Sequence, residues 1–190
     1  MAHFNHFDFL APLYDRLIKP IDPVNMHLLA GLPVSGILLD VGGGTGRISY
    51  MLRNYVTGIF IADSSMGMLT QSKKKNNLFS VCSNSEELPF EDESFERVIM
   101  VDALHHVNDY RATTNELWRV VKPGGRIVIE EPDIQTFPVK FMAIVEKVAL
   151  MRSHFVSPNN ICDAFHHLNA NTRIERAGTT SWVIVDKQND

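Results

Sequence analysis

The feature that most constrains this chain is an apolar segment that ends in an aspartate and continues into a glycine-dense turn. Residues 36–47 read Gly-Ile-Leu-Leu-Asp-Val-Gly-Gly-Gly-Thr-Gly-Arg. Glycine adopts backbone conformations closed to other residues, and the bare N–H groups at the start of a helix bind anionic groups. The segment therefore predicts a buried strand, a tight turn and a helix N-terminus that approach a bound small molecule.

Strand-like and helix-like segments alternate after this turn, which is typical of an α/β fold with a parallel sheet. Strands are predicted over Ile37–Val41, Gly58–Ala62, Leu78–Cys82, Arg97–Val101 and, after a Pro123-Gly124-Gly125 turn, Arg126–Glu130. Helices are predicted over Thr45–Asn54, Ser64–Lys75 (with Ser64 as its N-cap) and Asp109–Val121. The flanks add helices over Pro12–Ile18, Asp22 to Gly31, Val139–Met151 and Ser157 to Leu168, and strands over Arg173–Glu175 and Trp182–Asp186.

Composition narrows the classes of partner and compartment. The formal net charge of −4 gives no basic surface of the kind that binds nucleic acid, and no apolar run is long enough for a membrane span. The two cysteines, Cys82 and Cys162, form neither a disulfide framework nor a metal-ligand spacing. With no signal peptide at the N-terminus, we expect a reduced, cytoplasmic protein without a metal site.

The turn departs from the dinucleotide fingerprint G-x-G-x-x-G, which would need a glycine at position 47. That position is Arg47, and the third glycine comes early, at Gly46. Asp63 ends the second strand, close to the spacing of about 20 residues at which an acid binds ribose hydroxyls. The pattern argues against a nicotinamide-dependent oxidoreductase and favours another ribose-containing ligand.

Further segments stand in a specific order and spacing: Ala11–Asp15, Asp40–Gly46, Asp63–Leu69, Glu86–Phe90, Ser94–Val98, Leu104–Val107 and Leu117–Gly125. Together they resemble class I S-adenosylmethionine (SAM)-dependent methyltransferases of the type 11, ubiquinone/menaquinone-biosynthesis-like family. The resemblance implies a Rossmann-like sheet of seven mostly parallel strands, with one antiparallel edge strand and helices on both faces. With no repeat or linker in the sequence, we expect one domain over residues 1–190. It comprises an N-terminal helical lid (1–31), a cofactor-binding core (36–131), and substrate-side helices with the final strands (132–190).

Carried over by position, the resemblance also implies a cofactor site. The methionine portion of SAM would be held by Asp40 and by the loop glycines Gly42, Gly43, Gly44 and Gly46. Asp63 would hold the ribose, while Asn84 and Ser85 stand where the family commonly has Asp-Ala beside the adenine. The Asn84 amide can still read the adenine amino group through its oxygen.

Three more residues complete the predicted cofactor set: Tyr14, Ser64 and Asp102. In the family a Tyr-Asp pair on the N-terminal helix covers the cofactor, so the resemblance implies this role for Tyr14; an aromatic face beside a sulfonium also makes a cation–π contact. The alternative for Tyr14 is a core position on an amphipathic helix.

Methyl transfer from a sulfonium mainly requires alignment, so a general base matters only where the acceptor must lose a proton. His105 and His106, after the fourth strand, are the candidate bases; the alternative is that both shape the loop, with His105 packed near the cofactor. Glu130 and Glu131 end the fifth strand. One is expected to orient a substrate hydroxyl or amine, and the other to form a salt bridge at the surface.

These features predict an enzyme that passes the methyl group of SAM to a small, partly apolar acceptor, leaving S-adenosylhomocysteine (SAH). The fourth strand ends in Met100–Leu104 and lacks the Asn/Asp-Pro-Pro-aromatic signature of enzymes that methylate DNA bases. Apolar side chains in segment 131–158 predict an apolar acceptor pocket. A noncatalytic SAM- or SAH-binding protein is the alternative left open, and an NAD(P)-dependent oxidoreductase is less favoured.

Overall fold

A computed structural model describes residues 11, 23–140 and 154–189. The strands are β1 (Ile37–Val41), β2 (Gly58–Asp63), β3 (Leu78–Cys82), β4 (Phe95–Val101), β5 (Val121–Pro132), β6 (Ala170–Ala177) and β7 (Thr180–Lys187). The α-helices are α1 (Pro23–Leu29), α2 (Arg47–Leu52), α3 (Met66–Ser72), α4 (Tyr110–Val120) and α5 (Pro158–Asp163). A 3₁₀ turn over Leu104–His106 follows β4.

The strands form one seven-stranded sheet in the order β3-β2-β1-β4-β5-β7-β6. β1 to β5 are parallel, and β7 is antiparallel to both β5 and β6. The predicted seven-stranded, mostly parallel sheet is therefore confirmed. The antiparallel strand, however, is not at the edge: the β6–β7 hairpin folds back with β7 against β5, so β6 takes the edge.

Successive residues of the central strands point to opposite faces of the sheet, and both faces are covered. On one face Leu39, Val98, Ile127 and Val183 pack with Leu117 of α4 and Ile161 of α5. On the other face Leu38, Ile99, Val128 and Ile184 pack with Leu29 of α1, Leu52 of α2 and Leu69 of α3. These two apolar layers fix the sheet and confirm the expected helices on both faces.

Two local predictions are corrected by the structure. Ser65, not Ser64, is the N-cap of α3: its hydroxyl accepts the Met68 N–H at 3.1 Å, because the chain stays extended one residue beyond Ser64. The Pro123-Gly124-Gly125 turn lies inside β5, which already begins at Val121; the β4–β5 register shift between Phe95 and Arg97 absorbs it.

Several sequence predictions concern parts of the chain beyond the described residues. They include the Pro12–Ile18 helix with Tyr14, and most of the Val139–Met151 helix. Among the described residues, none of the helices has the length and apolar character needed to cross a bilayer.

Candidate functional site

A cleft with an empty volume of about 1000 Å³, open to solvent, lies over the carboxyl ends of β1, β2 and β4. The strand order reverses at β1, and this is where parallel sheets bind ligands. Most of the sequence-predicted site residues line this cleft: Asp40, Gly42, Gly43, Gly44, Asp63, Ser64, Asn84, Ser85, Asp102 and His106.

Two predicted residues lie elsewhere in the described structure. Gly46 is the N-cap of α2, where its left-handed backbone (φ 72°) turns the chain into the helix. His105 is buried against Glu131 and does not line the cleft. Tyr14 lies outside the described residues.

The cleft also has lining residues that the sequence analysis did not assign to it: Arg47, Ile48, Ala62, Met68, Ser83, Glu86, Met100, Val101, Ala103, Val107 and Asn108. Arg47 carried a readable signal, because the first helical residue after a ligand-binding turn faces the same space as the turn. No sequence signal marked Ser83, Ala103 or Asn108, since the path of the loop alone brings each of them to the cleft.

Gly42 brings the turn against the loop that follows β4. It has a φ of 70°, and a Cβ atom built on it would lie 2.5 Å from the Cβ of Ala103. Only glycine permits both this conformation and this approach. The glycine turn and the loop after β4 therefore pack as two touching walls of one cleft.

Asp40 is a buried carboxyl at the end of β1, with 2% of its surface exposed. Burial raises the pKa of Asp40 to about 7, and the charge of Asp63 adds to this rise. The Ser49 hydroxyl, which donates to Oδ2 at 2.6 Å, and the charge of Arg47 both oppose the rise. Asp40 therefore exchanges its proton near neutral pH.

Asp63 ties the end of β2 to the glycine turn. Its Oδ2 accepts the Gly44 N–H at 2.8 Å, and its Oδ1 accepts the Ser65 N–H at 2.7 Å. Carboxylate oxygens accept more than one hydrogen bond each, so these contacts fix the group in an orientation that remains compatible with vicinal hydroxyl donors.

The wall after β4 carries Asp102 and His106. Asp102 is held in the left-handed region (φ 50°), and burial, followed by the charge of Glu131, raises its pKa. Burial, reinforced by His105, lowers the pKa of His106 to about 4. At neutral pH His106 thus presents an uncharged imidazole to the cleft.

Glu130 and Glu131 differ from expectation, because both are buried and neither lies at the surface. Oε2 of Glu130 accepts the Trp182 Nε1–H at 2.6 Å, while Oε1 has no hydrogen-bond partner among the described residues. Burial raises the pKa of Glu130 to about 7, against the Trp182 hydrogen bond and with the charge of Asp102. Glu131 binds His105, with 2.5 Å between Oε2 and Nδ1.

The residues present fit the cofactor implied by the sequence. A Cβ atom built on Gly44 would have no neighbour closer than Asp63 Oδ2 at 3.8 Å, so the turn leaves room above its backbone. Ser83 Oγ, at the cleft beside Asn84 and Ser85, is buried without a hydrogen-bond partner among the described residues. Carboxylates, backbone N–H groups and hydroxyls of this kind suit an amino acid joined to a nucleoside.

Comparisons with known proteins agree with this description. Residues 39–129 match the family model described as "Methyltransferase domain". Demethylmenaquinone methyltransferase of Clavibacter sepedonicus is 31% identical over 193 residues, covering 93% of this chain and 78% of that protein. Ubiquinone/menaquinone biosynthesis C-methyltransferase UbiE of Hahella chejuensis is 30% identical over 151 residues, covering 70% of this chain and 60% of that protein.

A solved structure shares the fold across nearly the whole chain. It is a SAM-dependent methyltransferase from Aquifex aeolicus, with a TM-score of 0.73, 18% identity, and 97% of this chain and 99% of that chain covered. The curated relatives are longer: this chain spans 78% of the first and 60% of the second.

Proposed function

Because this chain belongs to the type 11 family of class I SAM-dependent methyltransferases, we propose that it methylates a ring carbon of a reduced quinone with an apolar tail. The observation that carries this choice of acceptor is the relative that covers 93% of the chain, which is named a demethylmenaquinone methyltransferase. A quinol ring is electron-rich and therefore a carbon nucleophile, and its apolar character matches the small, partly apolar acceptor expected from the sequence.

SAM is the cofactor, and we assign a part of it to each group of residues that lines the cleft. The backbone of Gly42–Gly44 would hold the methionine carboxylate and Asp40 the amine; Asp63 would hold the ribose hydroxyls. Asn84 and Ser85 would contact the adenine, with Ser64 and Asp102 beside the cofactor. The bound cofactor supplies an electrophilic methyl group on a sulfonium with a neutral leaving group.

The acceptor would lie against the wall that follows β4. Val101, Ala103 and Val107 give this wall apolar surface, and Asp102 and His106 supply its polar atoms. The neutral imidazole of His106 would accept a hydrogen bond from a quinol hydroxyl and so raise the electron density of the ring. The ring carbon that gains the methyl group loses its proton, which would pass to solvent as the ring becomes aromatic again. The chain's main contribution is to align the acceptor carbon and exclude water.

The test is an assay with SAM and a short-chain demethylmenaquinone reduced by dithionite, followed by detection of SAH and the methylated quinol. Turnover is expected with the reduced ring and not with the oxidised one. SAH binding by calorimetry without turnover across quinols, phenols and amines would instead support the noncatalytic binding protein. Binding of NAD in place of SAM and SAH would contradict the proposed site.

Asp63→Ala is expected to weaken SAH binding by about 1–3 kcal/mol, because charge-assisted hydrogen bonds to the ribose are lost. The matched control is Asp109→Ala, which removes a carboxylate that also accepts two backbone N–H groups, from Arg111 and Ala112 at the start of α4. The control should lose stability and keep its SAH affinity. Equal affinities of the two variants would refute the ribose assignment.

A further inference from the structure

Glu131 at the end of β5 accepts three N–H groups from consecutive residues of the loop after β4. Its Oε1 accepts the backbone N–H of Ala103 at 3.0 Å and of Leu104 at 2.7 Å. Its Oε2 lies 2.5 Å from Nδ1 of His105. Oε1 already accepts two N–H groups, and we assign the proton of the Oε2 contact to Nδ1 of His105, so that the carboxyl group accepts all three hydrogen bonds.

This loop forms one wall of the cleft. Asp102, Ala103 and His106 all line the cleft, and Ala103 sits directly against Gly42 of the glycine turn. The His105 and His106 rings are in contact, with centroids 4.0 Å apart. The contacts that hold His105 and the backbone N–H groups of Ala103 and Leu104 therefore also determine the position of this cleft wall.

His105 also joins this wall to the chain that leads into α5. Its ring stacks on Phe155, with centroids 4.8 Å apart and planes inclined by 6°. Its carbonyl oxygen accepts the His154 N–H at 2.7 Å. His105 and Glu131 are both more than nine-tenths buried, with 6% and 3% of their surface exposed. Burial of such groups is costly unless each polar atom is satisfied, so the pair holds the loop in one arrangement.

We propose that Glu131 and His105 are positioning residues: through the Nδ1–H···Oε2 hydrogen bond they hold the 102–106 loop so that Ala103 meets the glycine turn and His106 faces the cleft. The proposal rests on the proposed function for its ligand, SAH. Neither residue touches the cleft, and both act through the wall that they fix.

Substitutions of His105 separate its hydrogen bond from its ring. His105→Asn keeps a donor at the Nδ1 position and loses the stack on Phe155, whereas His105→Phe keeps a ring and loses the donor. We expect His105→Phe to weaken SAH binding about tenfold, the scale of a lost hydrogen bond to a buried charge, and His105→Asn to stay within about threefold of the parent. Glu131→Gln should stay within about threefold of the parent, like His105→Asn, because its amide oxygen can accept both backbone N–H groups while its NH₂ donates to Nδ1 of the other His105 tautomer.

The ¹⁵N shifts of the His105 ring give a signature that general loss of stability would not produce. The parent should show the Nδ1–H tautomer, and Glu131→Gln should show the Nε2–H tautomer, because the amide NH₂ donates to an unprotonated Nδ1. Glu96→Gln is the matched control: Glu96 accepts the Ile37 N–H at 2.6 Å and the Lys122 ammonium at 2.5 Å, at the opposite end of the same sheet. It should lose stability and keep SAH affinity within about twofold.

Parent-like SAH affinity in a natively folded His105→Phe would overturn the proposal, as would an Nε2–H tautomer in the parent. If Glu131→Gln does not fold, the two His105 variants still decide, since they keep the carboxylate. If the parent does not bind SAH, the proposed function has failed. Hydrogen exchange of the Ala103 and Leu104 amides then tests the positioning alone: protection must drop in His105→Phe and be retained in His105→Asn.

Discussion

Two buried carboxyls, Asp40 and Glu130, make the stability of the fold depend on pH in an unusual direction. The pKa values of Asp40 and Glu130 are both raised to about 7, chiefly because burial disfavours their charged forms. The folded chain therefore binds more protons than the unfolded chain between about pH 4 and 7. The stability that these groups contribute is fully present below their unfolded pKa values and is lost as the pH rises through about 7.

Glu130→Gln should remove the Glu130 part of this dependence, because an amide cannot ionise and can still accept the Trp182 hydrogen bond. Its free energy of unfolding should be close to that of the parent at pH 5 and higher by about 1–3 kcal/mol at pH 8. Denaturant unfolding at both pH values measures this difference. Asp40 leaves a residual slope in the variant, so curves that run parallel across the pH range would show the interpretation to be wrong.

For the helices and strands, the local sequence pattern predicts those bounds that local interactions determine. β1 begins and ends where its apolar run does, since buried parallel strands read as continuous apolar segments. β3 also has its predicted bounds, although it lies at the edge of the sheet and only Leu78 in it is buried. The final hairpin is longer than predicted: β6 extends over Ala170–Ala177, although most of its residues are exposed, because pairing with β7 supplies its hydrogen bonds. Such pairing is set by the rest of the sheet and leaves little trace in the local sequence.

The same limit explains why the sequence could not assign separate roles to the two adjacent histidines or to the two adjacent glutamates. A sequence motif does not distinguish His105 from His106, or Glu130 from Glu131. Such neighbours differ in the side of the chain to which each side chain points. In the structure His106 lines the cleft and His105 contacts Glu131. Both glutamates are buried, Glu130 against Trp182 of β7 and Glu131 against the loop after β4. The glycine turn and Asp63 could be placed at one cleft from the sequence because one turn and one acid specify them, whereas the path of the loop after β4 could not.

The glycine turn offers a prediction about an element rather than a single contact. Gly42 and Gly44 both have positive φ (70° and 54°), but only at Gly42 would an added Cβ atom meet another within 2.5 Å. Gly44→Ala should therefore cost about 1 kcal/mol of stability for backbone strain, and Gly42→Ala at least about 3 kcal/mol because the wall must also move. Thermal unfolding of the two variants measures the difference, and equal losses would contradict the packing of the turn against Ala103.

Across the whole molecule, one sheet joins the part of the chain before residue 132 to the part after it. β5 belongs to the cofactor-binding core and pairs along Arg126–Pro132 with β7, which belongs to the C-terminal part of the chain. Trp182 of β7 donates to Glu130, and the apolar layers on both faces include residues of both parts. A sheet shared in this way couples the hairpin to the cleft, so we expect the two parts to unfold together.

The two tryptophans make this coupling measurable, because Trp182 lies in the hairpin and Trp118 in α4. In Trp118→Phe, the fluorescence of Trp182 should follow the same thermal transition as far-UV circular dichroism, with equal calorimetric and van't Hoff enthalpies. SAH at 100 times its dissociation constant should raise the free energy of unfolding by about 2.7 kcal/mol for both signals, since a ligand of the native state stabilises everything that unfolds with its site. NAD at the same concentration should shift neither. A Trp182 transition that precedes the loss of helix, or that ignores SAH, would show instead that the β6–β7 hairpin unfolds independently of the cleft.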